Sequence, residues 1–169
     1  MRAFIALPVT GAALDGLVRL QQQLPAGRPL PEENLHLTLA FLDDQPEEAL
    51  EMLHENLALI RAAPFAVHLH GLEMFGKALA VRGSLSGPLS ALQQSVQTAA
   101  RAAGILLPRR RFRPHVTFAR LTGAAPAAYL AKNAAATLPP LQADRFSLFA
   151  SSLRPQGALH EELAQYPLY

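Results

Sequence analysis

Residues 34–42 read NLHLTLAFL, and this stretch decides how the rest of the chain is read. Side chains alternate faces along a β-strand. On that period Leu35, Leu37, Leu39 and Phe41 share one uniformly apolar face, and His36, Thr38 and Ala40 share the other. A strand buried on both faces has little use for an imidazole and a hydroxyl two residues apart, so the second face is expected to meet something polar. Residues 114–121, PHVTFARL, repeat the pattern: His115, Thr117 and Ala119 on one face, Val116 and Phe118 behind. The two His are 79 residues apart in a chain of 169. This repeat predicts a duplicated architecture that brings two His-x-Thr strands face to face.

The flanking segments supply the other elements. Residues 2–8 form a first strand ended by Pro8. Leu14, Leu17, Val18 and Leu24 recur at helical spacing, which predicts a helix over residues 11–24 with Thr10 as its N-cap. Residues 25–31 are a breaker-rich loop. Pro46 suits a first helical position, Glu47 and Glu48 suit a helix N-terminus, and Leu50, Leu53, Leu57 and Ile60 give that helix its buried stripe. Residues 64–72 and 79–82 read as a hairpin turning at Gly76. A long helix runs over residues 86–103 and stops at Gly104. Residues 126–136 are Ala-rich and helical, and residues 141–153 and 159–168 are two more strands.

Strands and helices are interleaved, but hairpins are present too. That favours an α+β fold with antiparallel sheets and helices on their outer faces over a doubly wound parallel sheet. The expected organisation is a single domain over residues 1–169, built of two similar lobes.

Half of the residues are hydrophobic, enough for a sizeable core. With no Cys, neither a disulfide framework nor a cysteine metal site can form, which suits a reducing cytoplasm. No apolar run approaches the ~18 residues of a membrane span. The net charge of +2 hides an asymmetry: residues 1–84 carry 6 Lys/Arg against 10 Asp/Glu, and residues 85–169 carry 9 against 3. Arg109, Arg110, Arg111 and Arg113 lead directly into His115. The planar guanidinium fork can donate two parallel hydrogen bonds to a phosphate, so this basic loop suggests a polyanionic substrate. A solvated turn explains the Arg run equally well.

If the two strands line one cleft, two imidazoles and two hydroxyls converge. An unperturbed His titrates near ~6.5, so one ring can be neutral while the other is charged, a general base and a general acid together. Thr hydroxyls can donate to non-bridging phosphate oxygens. The matching reaction is in-line phosphodiester cleavage, and it requires no metal or other cofactor.

The paired H-x-T-x motifs resemble those of the two-histidine phosphoesterase superfamily. Within it, the chain is similar to the RNA 2′,3′-cyclic phosphodiesterases, once called 2′-5′ RNA ligases. RAFIALP, ENLHLTLAFL, PFAVHLHGLEMFG, FRPHVTFARL and the terminal YPLY carry the resemblance over essentially the whole chain. It implies a bilobal pseudo-twofold fold with antiparallel sheets lining a central cleft, and hydrolysis of RNA 2′,3′-cyclic phosphate ends to 2′-phosphate ends. It also implies that His36 is the proton donor to the leaving oxygen, that His115 is the proton acceptor from water, and that Thr38 and Thr117 bind phosphate. Arg120 stands where the family often has Arg, although strict alternation places it opposite His115. The chain departs from the family pattern at residues 28–31, where an aromatic residue is common, and at Asp43, where Gly is common. A monomer acting on RNA or nucleotides with a cyclic phosphate end is expected.

Other motifs are weaker. His68 and His70 share a strand face but have no evident third ligand beyond Glu73, and a wet sheet face accounts for them. His54-Glu55 lacks the second His of H-E-x-x-H, since position 58 is Ala. Residues 83–87, GSLSG, put Leu85 where a nucleophile elbow needs Ser. Alternative readings are a small cyclic-nucleotide phosphodiesterase, a 2′-5′ RNA ligase, or a non-catalytic RNA-end-binding module. Intact His at both motifs argues against the last, because Lys or Arg would serve binding as well.

Overall fold

Period-two apolar patterning draws most of the strands into one sheet. The structure is a computed structural model that describes all 169 residues. In chain order the elements are β1 (Arg2–Pro8), α1 (Gly11–Gln22), β2 (Arg28–Pro29), a 3-10 turn (Glu32–Asn34), β3 (His36–Asp44), α2 (Glu47–Ala58), β4 (Phe65–Val67), β5 (Leu69–Phe75), β6 (Ala78–Gly83), α3 (Gly87–Ala102), β7 (His115–Arg120), α4 (Ala127–Asn133), β8 (Leu141–Ala143), β9 (Arg145–Arg154) and β10 (Gly157–Pro167). The main sheet has the order β10-β9-β1-β3-β7-β6-β5, with β2 on β7, and its pairings are antiparallel. No helix is long and apolar enough to cross a membrane.

The two His strands lie side by side at the centre of this order, rather than opposite one another. β3 and β7 share a single ladder pair, Leu37 with Val116. Two strands that pair at one point diverge on either side of it, so the halves β9-β1-β3 and β7-β6-β5 form two lobes that meet at that pair. The apolar faces of both lobes join the helices. Leu17 of α1, Leu53 and Leu57 of α2, and Leu89 and Val96 of α3 belong to one 36-residue core cluster with Ile5, Leu37, Val116 and Phe118. Full burial of each such side chain stabilises the fold by about 1.5–3 kcal/mol. The helices therefore cover the face away from His36 and His115.

Among the places where strict alternation fails, two match between the halves. Along β1, Ala6 pairs with Thr38 and Ile5 with Ala40, so Leu39 is an extra residue. Along β6, Ala80 pairs with Thr117 and Leu79 with Ala119, so Phe118 is extra. Each bulge falls one residue past the motif Thr and shifts the phase of the strand beyond it. Ala40 and Ala119 consequently join the core instead of sharing the His face. Phe41, expected among the core residues, is 54% exposed and turns to the other side.

Smaller differences have local causes. The expected strand over residues 64–72 divides at His68: β4 leaves the main sheet to pair with β8, and β5 stays with β6. Thr10 stands at the N-cap of α1 but its hydroxyl makes no capping bond, whereas Ser86 caps α3 by accepting from the Leu89 N–H at 3.3 Å. Pro46 is the N-cap of α2 rather than its first residue.

Candidate active site

The register at the centre of the sheet places the motifs. Leu37 pairs with Val116 in an antiparallel sense. One step either way sets His36 beside Thr117, and Thr38 beside His115. All four line one cavity of about 220 Å³, together with Arg2, Asp43 and His160. A second cavity of about 330 Å³ adjoins it, shares Thr38, Phe41 and His115, and is walled by Phe75, Gln93 and the basic loop residues Arg110, Arg111 and Arg113.

Both motif imidazoles are held the same way. Nδ1 of His36 lies 2.7 Å from the Asn34 carbonyl oxygen, and Nδ1 of His115 lies 2.7 Å from that of Arg113. A carbonyl can only accept, so Nδ1 carries the proton in each ring. Nε2 is then the atom left for chemistry: a lone pair when the ring is neutral, an N–H donor when it is charged. One His can therefore act as base and the other as acid.

Each ring also rests on a phenyl. Phe4 packs on His36 with centroids 4.7 Å apart, and Phe149 stacks behind it at 5.1 Å. Phe4, Ala6 and Phe149 form a small buried cluster on the cavity side of β1, separate from the main core. Phe75 stacks on His115 at 3.9 Å. The Arg113 guanidinium lies 4.8 Å from the Phe75 centroid and is ion-paired with Glu73. Arg113 thus braces the His115 side twice, through its carbonyl and through Phe75.

The two sides differ electrostatically. Burial lowers the His36 pKa to about 4; the backbone bond to Asn34 opposes this, and the nearby His160 and His115 add to it. Burial likewise lowers the pKa of His160.

Four of the expected site residues, His36, Thr38, His115 and Thr117, come together here. Arg120 is exposed, pairs with Arg28 and Ala78 across the sheet, and lines neither cavity. His68 and His70 stack 6.2 Å apart, and His70 bonds Thr137 at 2.9 Å. No group of three or more His, Cys, Asp or Glu is placed to hold a metal. Sequence reasoning missed His160 and the phenyl supports. Their only signals were a lone His in the last strand and Phe residues in flanking strands, neither of which indicates the cavity without the register.

The family pattern described as the 2′-5′ RNA ligase superfamily matches residues 11–150. An RNA 2′,3′-cyclic phosphodiesterase of Geobacillus stearothermophilus is 37% identical over 69% of this chain and 41% of its own length. One from Aeropyrum pernix is 31% identical over 57% of this chain and 58% of its own length, so the chain spans about half the length of these two relatives. One from Thermus thermophilus is 28% identical over 99% of this chain and 90% of its own length. Among solved structures, Escherichia coli LigT complexed with 3′-AMP superposes with a TM-score of 0.79 at 25% identity, covering 99% of this chain and 97% of that one. Over most of its length, and with both His-x-Thr strands inside the matched span, this chain belongs to the 2′-5′ RNA ligase superfamily.

Proposed function

We propose that this chain, a single bilobal domain, hydrolyses RNA 2′,3′-cyclic phosphate ends to 2′-phosphate ends by two-His acid–base catalysis. The observation that carries the reading is the shared cavity of His36, Thr38, His115 and Thr117, with both imidazoles tied through Nδ1 and both Nε2 atoms left free. His115 takes a proton from water as the oxygen attacks phosphorus. The P–O3′ bond breaks, and His36 gives its proton to the departing 3′ oxygen. The water proton thus ends on His115, the hydroxyl on phosphorus and the His36 proton on the 3′ hydroxyl. The Thr38 and Thr117 hydroxyls donate to the non-bridging oxygens, where charge gathers.

His36 is neutral in the open cavity near pH 7, because burial depresses its pKa to about 4. An anionic phosphodiester favours the charged ring, so proton uptake accompanies substrate binding. The adjoining cavity receives the nucleoside: the exposed phenyl of Phe41 suits a base, Phe75 being taken up by His115 and Arg113, and Arg110 and Arg111 suit flanking phosphates.

The test is an oligonucleotide ending in 2′,3′-cyclic phosphate. The expected product carries a 2′-phosphate and a free 3′ hydroxyl, and it forms equally in the presence of a chelator. Release of the 2′ hydroxyl, no turnover, or strict dependence on added divalent ion overturns the proposal.

A further inference from the structure

The pseudo-twofold relation of the lobes is broken by one strand. β3 answers to β7, β1 to β6 and β9 to β5, but β10 lies beyond β9 and the other lobe has no strand beyond β5. His160 sits on that extra strand. It pairs with Ser151 of β9, which pairs with Arg2 of β1, and this row of three forms one wall of the smaller cavity. The His160 ring stands edge-on to His36, with centroids 5.3 Å apart at 69°, and edge-on to Phe4 at 4.9 Å. His36 thus has an imidazole beside it that has no counterpart at the matching place near His115.

A ring that merely filled this corner would be better as Phe. Nδ1 of His160 is shut off from solvent with no hydrogen-bond partner, so Nε2 is the atom through which this ring can exchange a proton. The charged and titratable groups sharing the cavity with His36 are His160 from β10, His115 from β7, Arg2 from β1 and Asp43 from its own strand; β9 brings only Ser151. Among them His160 is the ring in direct edge contact with His36, and it is the less buried of the two.

We propose that His160 is a positioning residue for proton transfer: it takes up a proton ahead of His36 and keeps His36 uncharged in the open cavity. The pair then titrates as a coupled unit, with the first proton on β10 and the second on β3. This gives the two motif His different protonation behaviour although their local bonds are alike. It rests on the reading of His36 as a proton-transfer group.

The test tracks the imidazole C–H signals of His36 and His115 by NMR as pH is varied, in wild type and in His160→Gln, His160→Phe and His160→Lys. Removing a like charge at this separation raises the His36 midpoint by about one pH unit in the Gln and Phe variants. The Lys variant, with a permanent cation, leaves it at or below the wild-type value, and His115 moves little in all three. The limb of the pH profile of kcat/KM that belongs to His36 shifts with its NMR midpoint. An unchanged His36 midpoint in all variants, or the same displacement in Gln, Phe and Lys alike, overturns the proposal and leaves His160 as packing. These midpoints are read without substrate, so failure of the cyclic phosphodiesterase assignment appears separately, as absent turnover with the NMR pattern intact.

Discussion

At the scale of single residues, the proposed reaction rests on two imidazoles, and a strained backbone position lies beside them. Replacing His36 or His115 by Ala removes a positioned acid or base, and turnover should fall on the order of 10²–10⁴-fold. Wild-type turnover in either variant would refute the assignment. Asp43 is the one non-glycine residue with positive φ, at 57°, and it lines the cavity with the two His. This left-handed geometry explains why Gly suits the position. Asp43→Gly should gain about 0.5 kcal/mol in chemical denaturation, whereas Asp43→Val should lose more than about 1 kcal/mol. Asp43→Asn keeps a side chain that tolerates this backbone but removes a negative charge beside the phosphate. It should lower KM for the cyclic phosphate with little change in stability. Equal KM values for Asp and Asn would place the carboxylate outside the field of the substrate.

At the scale of elements, the bulges at Leu39 and Phe118 and the loop before β7 decide what reaches substrate. The first bulge swings Phe41 out of the core series and into both cavities. The loop brings Arg110 and Arg111 to the larger cavity, while Arg113 is committed to Glu73 and Phe75. Neutralising Arg110 and Arg111 together should weaken binding of an oligonucleotide more than that of a mononucleotide, and should flatten the salt dependence of the oligonucleotide. Equal losses on both ligands would mean that the pair touches only the terminal nucleotide.

At the scale of the whole molecule, the partly buried His36 and His160 couple the site to stability. The His36 pKa is about 4 in the folded protein against an unperturbed 6.5. Above pH 6.5 both folded and unfolded chains hold this ring neutral. As pH falls below 6.5 the unfolded chain takes up a proton that the folded one refuses, so stability is lost down to about pH 4. This single group accounts for about 3 kcal/mol across that window, and His160 adds in the same sense. His36→Gln should flatten the acid side of the stability curve measured by denaturant titration. An unchanged slope between pH 6.5 and 4 would show that His36 is not held neutral by the fold.

By itself the sequence determined the fold class, the positions of the helices and the repeat that marks His36, Thr38, His115 and Thr117. Period-two and helical patterns are local, and a polar pair on an otherwise apolar strand stands out from its neighbours. What lies beside what, only the tertiary structure decided. The Leu37–Val116 pair, the bulges that turn Phe41 outward and bury Ala40 and Ala119, and the approach of His160 to His36 all depend on register between strands distant in sequence. Register is a property of two strands at once, fixed by the packing of the whole sheet, and no single stretch of residues carries it.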